Sequence, residues 1–340
     1  MNPGLVVRIS FLIRLLSLGF VLPLAMSTMV YVGFVTNYTQ GVFSESGFAK
    51  QYGSGVYKYR VLGVRLLTEA NNLFESMRVQ GYAPKALKIM DQEASATFYT
   101  TYYAVNTVLL CAACTVLFFV YGNSGGGAEF AKDLTLMFQC AFMALTEFVV
   151  TPYDILSYLF LALAALLILR RRSFSAVNVM LLACVVGLAA ATRESAVLIL
   201  SFYFAVHWGK ILERPRGRLN SPQVTLTVLL LVFVGTYVSL RLVLGFEHGL
   251  YQELELTRNL RPLQLLGSAT FAALAGVCLA AGQNRTLVGV FLIAASPYIV
   301  AMEIVASTWE LRLWAPVITL MLILMQIPPE LNADCHREGA

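Results

Sequence analysis

The sequence predicts an all-α protein, a polytopic transmembrane helix bundle of about ten spans whose long first outer loop contains an amphipathic helix. Three observations carry this. Apolar runs recur along the chain, each near the roughly 20 residues an α-helix needs to cross a bilayer. Only 13% of the residues are charged and 58% are hydrophobic, with a mean hydropathy of +0.72. A soluble domain carries roughly 25% charged residues, so too little polar surface remains to coat a water-soluble globule. Finally, basic residues gather in alternate connections between the runs, as the positive-inside rule requires of short loops. A soluble α/β protein with buried strands explains short apolar runs but not repeated long ones. In lipid every backbone N–H and C=O must be satisfied internally, and these runs are too long and continuous for barrel strands, so the spans are helices.

The chain begins with Arg8 and Arg14, followed by an apolar run from Leu15 to Val35. The run is long for a signal peptide and no small-x-small cleavage site follows it. It is therefore expected to be an uncleaved first span with a cytoplasmic N-terminus. Residues 36–97 form the long outer loop. Between Tyr57 and Met77 the apolar residues Val61, Leu62, Val64, Leu66, Leu67 and Phe74 fall at helical spacing, which predicts an amphipathic helix lying on the membrane or on the other spans. The remaining spans are expected near 98–121, 134–149, 154–170, 176–192, 195–209, 223–243, 263–282, 286–305 and 312–327. Several are at the short end of what crosses a bilayer.

Counting from a cytoplasmic start places the connections 170–175, 210–222 and 283–285 inside. They hold Arg170, Arg171 and Arg172, then Lys210, Arg214, Arg216 and Arg218, then Arg285. The intervening connections at 150–153 and 193–194 hold one basic residue, Arg193. The glycine-rich stretch from Gly122 to Gly127 reads as a cytoplasmic turn, because it lacks the lysine of a phosphate loop. Residues 328–340 read as a cytoplasmic tail, and 1–340 as one integral membrane domain.

The net charge of +5 is accounted for by these topology signals. No basic–aromatic array points to nucleic acid. Six scattered cysteines offer no disulfide framework, and Cys111-Ala-Ala-Cys114 reads as small packing residues on an apolar helix. His207, His248 and His336 lack metal-ligand spacing, and no nucleophile triad can be placed. No cofactor is expected; a divalent metal beside carboxylates stays open.

Charge beside a span is costly and marks a functional candidate. Four such groups fall at outer span ends. The first is Tyr57-Lys58-Tyr59-Arg60, with Arg65 and Glu69 beyond it: Arg60 and Arg65 offer bidentate donors to phosphate, or else anchor an interfacial helix. The second is Thr151-Pro152-Tyr153-Asp154, preceded by Glu147. Asp154 caps a helix start, or the two carboxylates bind a cation or orient sugar hydroxyls. The third is Thr192-Arg193-Glu194-Ser195, where a tight turn needs no charge. The fourth is Trp309-Glu310-Leu311-Arg312, preceded by Glu303. Arg312 at a helix start wants an anionic partner, whether Glu194, Asp154 or a ligand phosphate.

The Tyr59-Arg60-Val61-Leu62 stretch, the Arg193-Glu194 turn and the Glu310-Leu311-Arg312 segment before a proline-containing last span resemble motifs of the GT-C superfamily of polytopic glycosyltransferases. So does the layout of a cytoplasmic N-terminus and a long first outer loop with an amphipathic helix. The resemblance implies a bacterial inner-membrane enzyme that moves a sugar from a polyprenyl-phosphate donor to an acceptor at the outer face, in envelope polysaccharide or glycolipid assembly. It implies that Tyr59, Arg60, Arg65, Arg193, Glu194, Glu310 and Arg312 bind substrate. Such enzymes usually carry an acidic residue, often Asp, early in the first outer loop; here the early acid is Glu45, with Asp154 as the other candidate base. The alternatives are a transporter or flippase for a lipid-linked or anionic solute, and a non-catalytic membrane subunit of an assembly complex.

Overall fold

Each apolar run folds as a helix. The computed structural model describes residues 3–33, 43–53, 55–83, 85–90, 92–123, 128–147, 152–170, 175–213, 221–246, 256–282, 284–306, 308 and 310–328, and among these no strand occurs. The first run is one continuous helix in three pieces: α1 (Pro3–Leu16), a π-helical turn (Ser17–Val21) and α2 (Leu22–Gly33). The π turn falls where Gly19 packs on α6 (Ala96–Asn123), so closely that a Cβ there would stand 2.8 Å from Thr115 Oγ1. A widened turn takes carbonyls out of the regular ladder. Gly19 O accepts from Thr115 Oγ1 at 3.5 Å and Phe20 O from the Cys111 thiol at 3.9 Å.

Between α2 and α6 lie α3 (Glu45–Tyr52), a 3-10 turn (Gly55–Tyr59), α4 (Val61–Ser76) and α5 (Lys85–Met90). Ser44 caps α3 by accepting from Gly47 N at 3.1 Å. The amphipathic helix is α4. It buries Gly63, Leu67 and Asn71, four residues apart on one stripe, and leaves Arg65 and Glu69 exposed. Leu67 packs into a core with Phe43, Phe48, Tyr52, Leu87, Phe98 and Tyr99. The helix thus docks on its own loop and on the start of α6, while Leu66, Leu73 and Met77 stay exposed.

Gly81 is where that loop meets α6. A Cβ at Gly81 would stand 2.2 Å from Ala96 O and 2.4 Å from Thr97 N. Backbone atoms cannot swing aside as a side chain can. Gly81→Ala is therefore expected to cost about 3 kcal/mol, the upper range for overpacking. Limited proteolysis of the purified protein checks it: the substitution should speed cleavage around residues 79–90, and an unchanged rate would rule out the close approach.

The next helices are α7 (Glu129–Glu147), α8 (Pro152–Arg170), α9 (Ala176–Ala190), α10 (Val197–Leu212), α11 (Ser221–Leu244), the short α12 (Leu256–Asn259), α13 (Leu265–Ala281), α14 (Arg285–Val305) and α15 (Leu311–Met325). Contacts divide the chain into two compact units: residues 1–118 with 133–159, and residues 119–132 with 160–340. Nothing in the sequence reading pointed to this division.

In the first unit, Arg14 of α1 grips Asp133 of α7 with two bonds, Nη2 to Oδ1 at 2.6 Å and Nε to Oδ2 at 2.9 Å. Two parallel charge-assisted bonds are the strongest geometry an arginine offers a carboxylate. In the second unit, α10 packs on α11 and α14, α9 on α11, and α15 on α13 and α14. Proline at 297 removes one N–H from the middle of α14. The carbonyl it would have bonded, Ile293 O, accepts from Ser296 Oγ at 2.8 Å, and the neighbouring Ala294 O accepts from Ser201 Oγ of α10 at 3.1 Å.

Among the described residues, five helices are long and apolar enough to cross a membrane: Val7–Gly33, Ala96–Gly122, Glu194–Leu212, Ser221–Leu244 and Arg285–Val305. Four shorter apolar helices accompany them: Asp154–Leu169, Ala176–Ala190, Leu265–Ala281 and Leu311–Met325. On α11 the apolar residues Leu231, Leu242 and Val243 are exposed. A long helix that is apolar and outward-facing is suited to lipid rather than water. The chain is all-α with the helices of an integral membrane protein.

Candidate functional site

In the first unit, Tyr59 closes the 3-10 turn and is buried. Arg60 follows as the residue before α4, with its guanidinium carbon 5.1 Å from the centre of the Tyr57 ring. A ring face at that distance attracts a cation through its quadrupole. Arg65 is exposed on α4. Asp154 lies in the first turn of α8 with no exposed surface, and its backbone carbonyl accepts from Ser157 Oγ at 2.7 Å. A carboxylate suits that end of a helix. Glu45 is the first residue of α3. Its side chain, like those of Glu147 and Tyr153, lies outside what the structure describes, as do Asp91, Thr151, Trp309, residues 124–127 and the tail beyond Pro328.

The second unit assembles the Arg193–Glu194 turn. Helix α9 ends with Ala191 N bonded to Gly187 O at 3.0 Å and Arg193 N to Ala189 O at 2.9 Å. Thr192 Oγ1 donates to Leu188 O at 2.8 Å. Arg193 then turns extended, with φ −162° and ψ 149°, and a short 3-10 turn (Glu194–Ala196) leads into α10. The turn needs no glycine because none of its residues takes a positive φ.

Arg193 is 4% exposed. Glu194 faces Arg241, near the end of α11, with Oε1 3.9 Å from Nη2. At that distance charge holds the pair, not a hydrogen bond. Arg241 is 7% exposed, and its guanidinium carbon lies 3.4 Å from the Tyr237 ring centre. Its Nη1 donates to Tyr237 O at 3.3 Å. Ser195, next in the turn, is buried, and among the described residues its Oγ has no partner. A guanidinium group in an apolar bundle demands an anion, and Glu194 supplies one to Arg241.

A second knot forms where α14 ends and α15 begins. Glu303 accepts from Ser268 Oγ at 2.6 Å and from Thr308 Oγ1 at 3.2 Å. Asn259 Nδ2 donates to Glu303 O at 2.9 Å and to Ala306 O at 2.6 Å, while its Oδ1 accepts from Thr308 N at 3.2 Å. Trp314 Nε1 donates to Thr308 O at 2.9 Å. These bonds hold Ala306 and Thr308, between the end of α14 and Glu310. Arg312 Nε meets Glu310 Oε2 at 2.6 Å, both side chains being largely buried. The sequence reading gave Arg312 a distant anion or a ligand phosphate; the carboxylate beside it in the structure is its near neighbour Glu310.

The structure therefore pairs Glu194 with Arg241 and Glu310 with Arg312. Arg241 was missed in the sequence, although a lone arginine near the end of a long apolar run is a usable signal. Asn259 was missed too, and no pattern in its surroundings would have shown it. Among the described residues, no group of three or more His, Cys, Asp or Glu could hold a metal ion. The described cysteines, Cys111, Cys114, Cys140, Cys184 and Cys278, are all free thiols. No family model matches the chain, and neither does any curated protein or solved structure.

Proposed function

We propose that the chain is a ten-span glycosyltransferase of a bacterial inner membrane, with both termini in the cytoplasm. It takes a sugar from a polyprenyl-phosphate donor and passes it to an acceptor hydroxyl at the outer face, in envelope polysaccharide or glycolipid assembly. The observation that carries this reading is the pairing of the buried Arg241 with Glu194, the residue that follows the buried Arg193, among apolar helices. A lipid that carries phosphate offers arginine a bidentate acceptor and brings a tail at home among apolar helices.

The donor's bond from C1 to the phosphate oxygen breaks, and a bond forms from C1 to the acceptor oxygen. Polyprenyl phosphate leaves as an anion, whose growing charge a guanidinium group stabilises. Glu45 is the proposed base that takes the acceptor proton. Arg60, Arg65 and Tyr59 are proposed to hold the substrate in the first outer loop, and Glu310 to orient Arg312.

Proteoliposomes loaded with a polyprenyl-phosphate hexose and an acceptor lipid test the reading, with released polyprenyl phosphate measured by mass spectrometry. The wild-type chain should consume the donor, and Glu45→Gln should slow consumption by about 10²–10⁴-fold, the usual worth of a general base. A Glu45→Gln protein of undiminished rate removes Glu45 from that role. Donor that crosses the bilayer unchanged, or is bound without turnover, removes the transferase reading.

A further inference from the structure

Packing on protein uses only one flank of α4. Successive residues of a helix turn by about 100°. Gly63 and Asn71 therefore fall beside the fully buried Leu67 and share its burial. Leu66, Leu73 and Met77, which caps the end of the helix, fall together about 100° to one side of Leu67. All three are exposed, Leu73 at 56% and Met77 at 64%. The half-buried Leu62 and Ala70 lie along the same flank. Arg65, Glu69 and Ser76 are exposed on the side opposite Leu67. The helix thus shows one flank to protein, an apolar flank at right angles to it, and a polar flank facing away.

Contacts with α6 fix the height of α4 against the long helices of the first unit. Asn71 Oδ1 accepts from Thr101 Oγ1 at 3.5 Å. Thr101 lies about 7.5 Å along α6 from Ala96. Leu67 shares its core with Phe98, Tyr99 and Tyr102 of the same turns. The apolar helix Ala96–Gly122 has 27 residues, about 40 Å of helix against about 30 Å of bilayer hydrocarbon. Its end turns therefore reach the headgroup level. Tyrosines gather there. Tyr31, near the end of α2, stacks on Tyr99 at 4.7 Å and on Tyr103 at 4.4 Å between ring centres, and its hydroxyl donates to Tyr82 O. Such a cluster at one helix end marks a membrane interface. Met29 and Val32 of α2 are exposed near the same end. Helix α4 lies level with these tyrosines, not beyond them.

At that level an apolar flank left exposed by the protein meets lipid. Water there would leave the flank's hydrocarbon unsheltered. A second copy of the chain would cover apolar and polar residues alike. The change from Leu66 and Leu73 to Arg65 and Glu69 within one helix matches instead the boundary between hydrocarbon and water, where an interfacial helix sinks its apolar face by about 5–10 Å. We infer that α4 lies along the membrane interface, with Leu66, Leu73 and Met77 among the acyl carbons next to the headgroups and Arg65 and Glu69 turned to the headgroups and water. The inference goes beyond the glycosyl-transfer reading, holds for either side of the bilayer and does not depend on any proposed catalytic group.

The test uses the unaltered full chain in phosphatidylcholine nanodiscs. One phosphatidylcholine carries a photoreactive diazirine near the carbonyl end of an acyl chain, and a second carries it at the chain terminus. After irradiation, fragment mass spectra should place label from the first lipid on Leu66, Leu73 and Met77 and not on Arg65 or Glu69. Label from the second should fall on mid-helix residues such as Leu231 of α11 and be lost from α4. Hydroxyl radicals generated in the water should spare Met77, although the protein itself leaves it exposed. Rapid oxidation of Met77 without lipid label overturns the assignment, because the flank then faces water. Protection of Met77 without lipid label, with cross-links between copies through α4, overturns it in favour of a second copy. Equal labelling of α4 by both lipids overturns the interfacial depth.

Discussion

Trp314→Ala is expected to destabilise the second unit by about 3–5 kcal/mol, the range for deleting a large buried aromatic side chain. Trp314 is 1% exposed and stacks on Phe271 with ring centres 4.3 Å apart and planes 14° from parallel. Lipid is as apolar as the ring, so little of this cost is hydrophobic transfer; it comes from dispersion contacts that a cavity cannot replace. The substitution also leaves Thr308 O without the Trp314 N–H. The segment that carries Glu310 is then held less firmly. Trp314→Phe keeps the stack and most of the volume and should cost about 1 kcal/mol, the net worth of the hydrogen bond. Thermal unfolding in detergent, followed by circular dichroism, checks both. An alanine variant that melts with the wild type would show that the stack does not hold α13 and α15 together.

Arg241→Ala is expected to weaken binding of polyprenyl phosphate by about 10–100-fold, the worth of one charge-assisted hydrogen bond. The measurement is titration of the lipid into protein-bearing nanodiscs. Arg241→Lys keeps the charge but not the fork, and should recover part of the loss. Glu194→Gln is the sharper control. If Glu194 only balances Arg241, removing its charge leaves the guanidinium more available to phosphate, and affinity should hold or rise. A Glu194→Gln protein that binds as poorly as Arg241→Ala would make the pair a structural tie and take Arg241 out of the site.

The charged motifs show where sequence reading stops. Arg193, Glu194, Glu310 and Arg312 stand out because charge in apolar sequence is conspicuous on its own, and each does lie at a helix end. Their pairings are another matter. Glu194 meets Arg241 only because α10 and α11 pack side by side, and spacing along the chain carries no trace of that. Arg312 looks unpartnered at a helix start, yet the 3-10-like bond from Leu313 N to Glu310 O at 3.0 Å curls Glu310 back toward it. The tyrosines of the first unit are equally silent in sequence. Tyr31 and Tyr99 meet because two helices distant in the chain cross there.

By itself the sequence determined that the chain is all-α, where its apolar helices lie, and that α4 is amphipathic. Those properties rest on local periodicity and on the need of each backbone group in lipid to be satisfied within its own element. Only the tertiary structure decided the division into two units, the partner of each buried charge, the docking of α4 against Phe48 and Phe98, and the flank of α4 that this docking leaves exposed. Each of these depends on which helix faces meet, and that is set by side-chain packing between segments far apart in the chain.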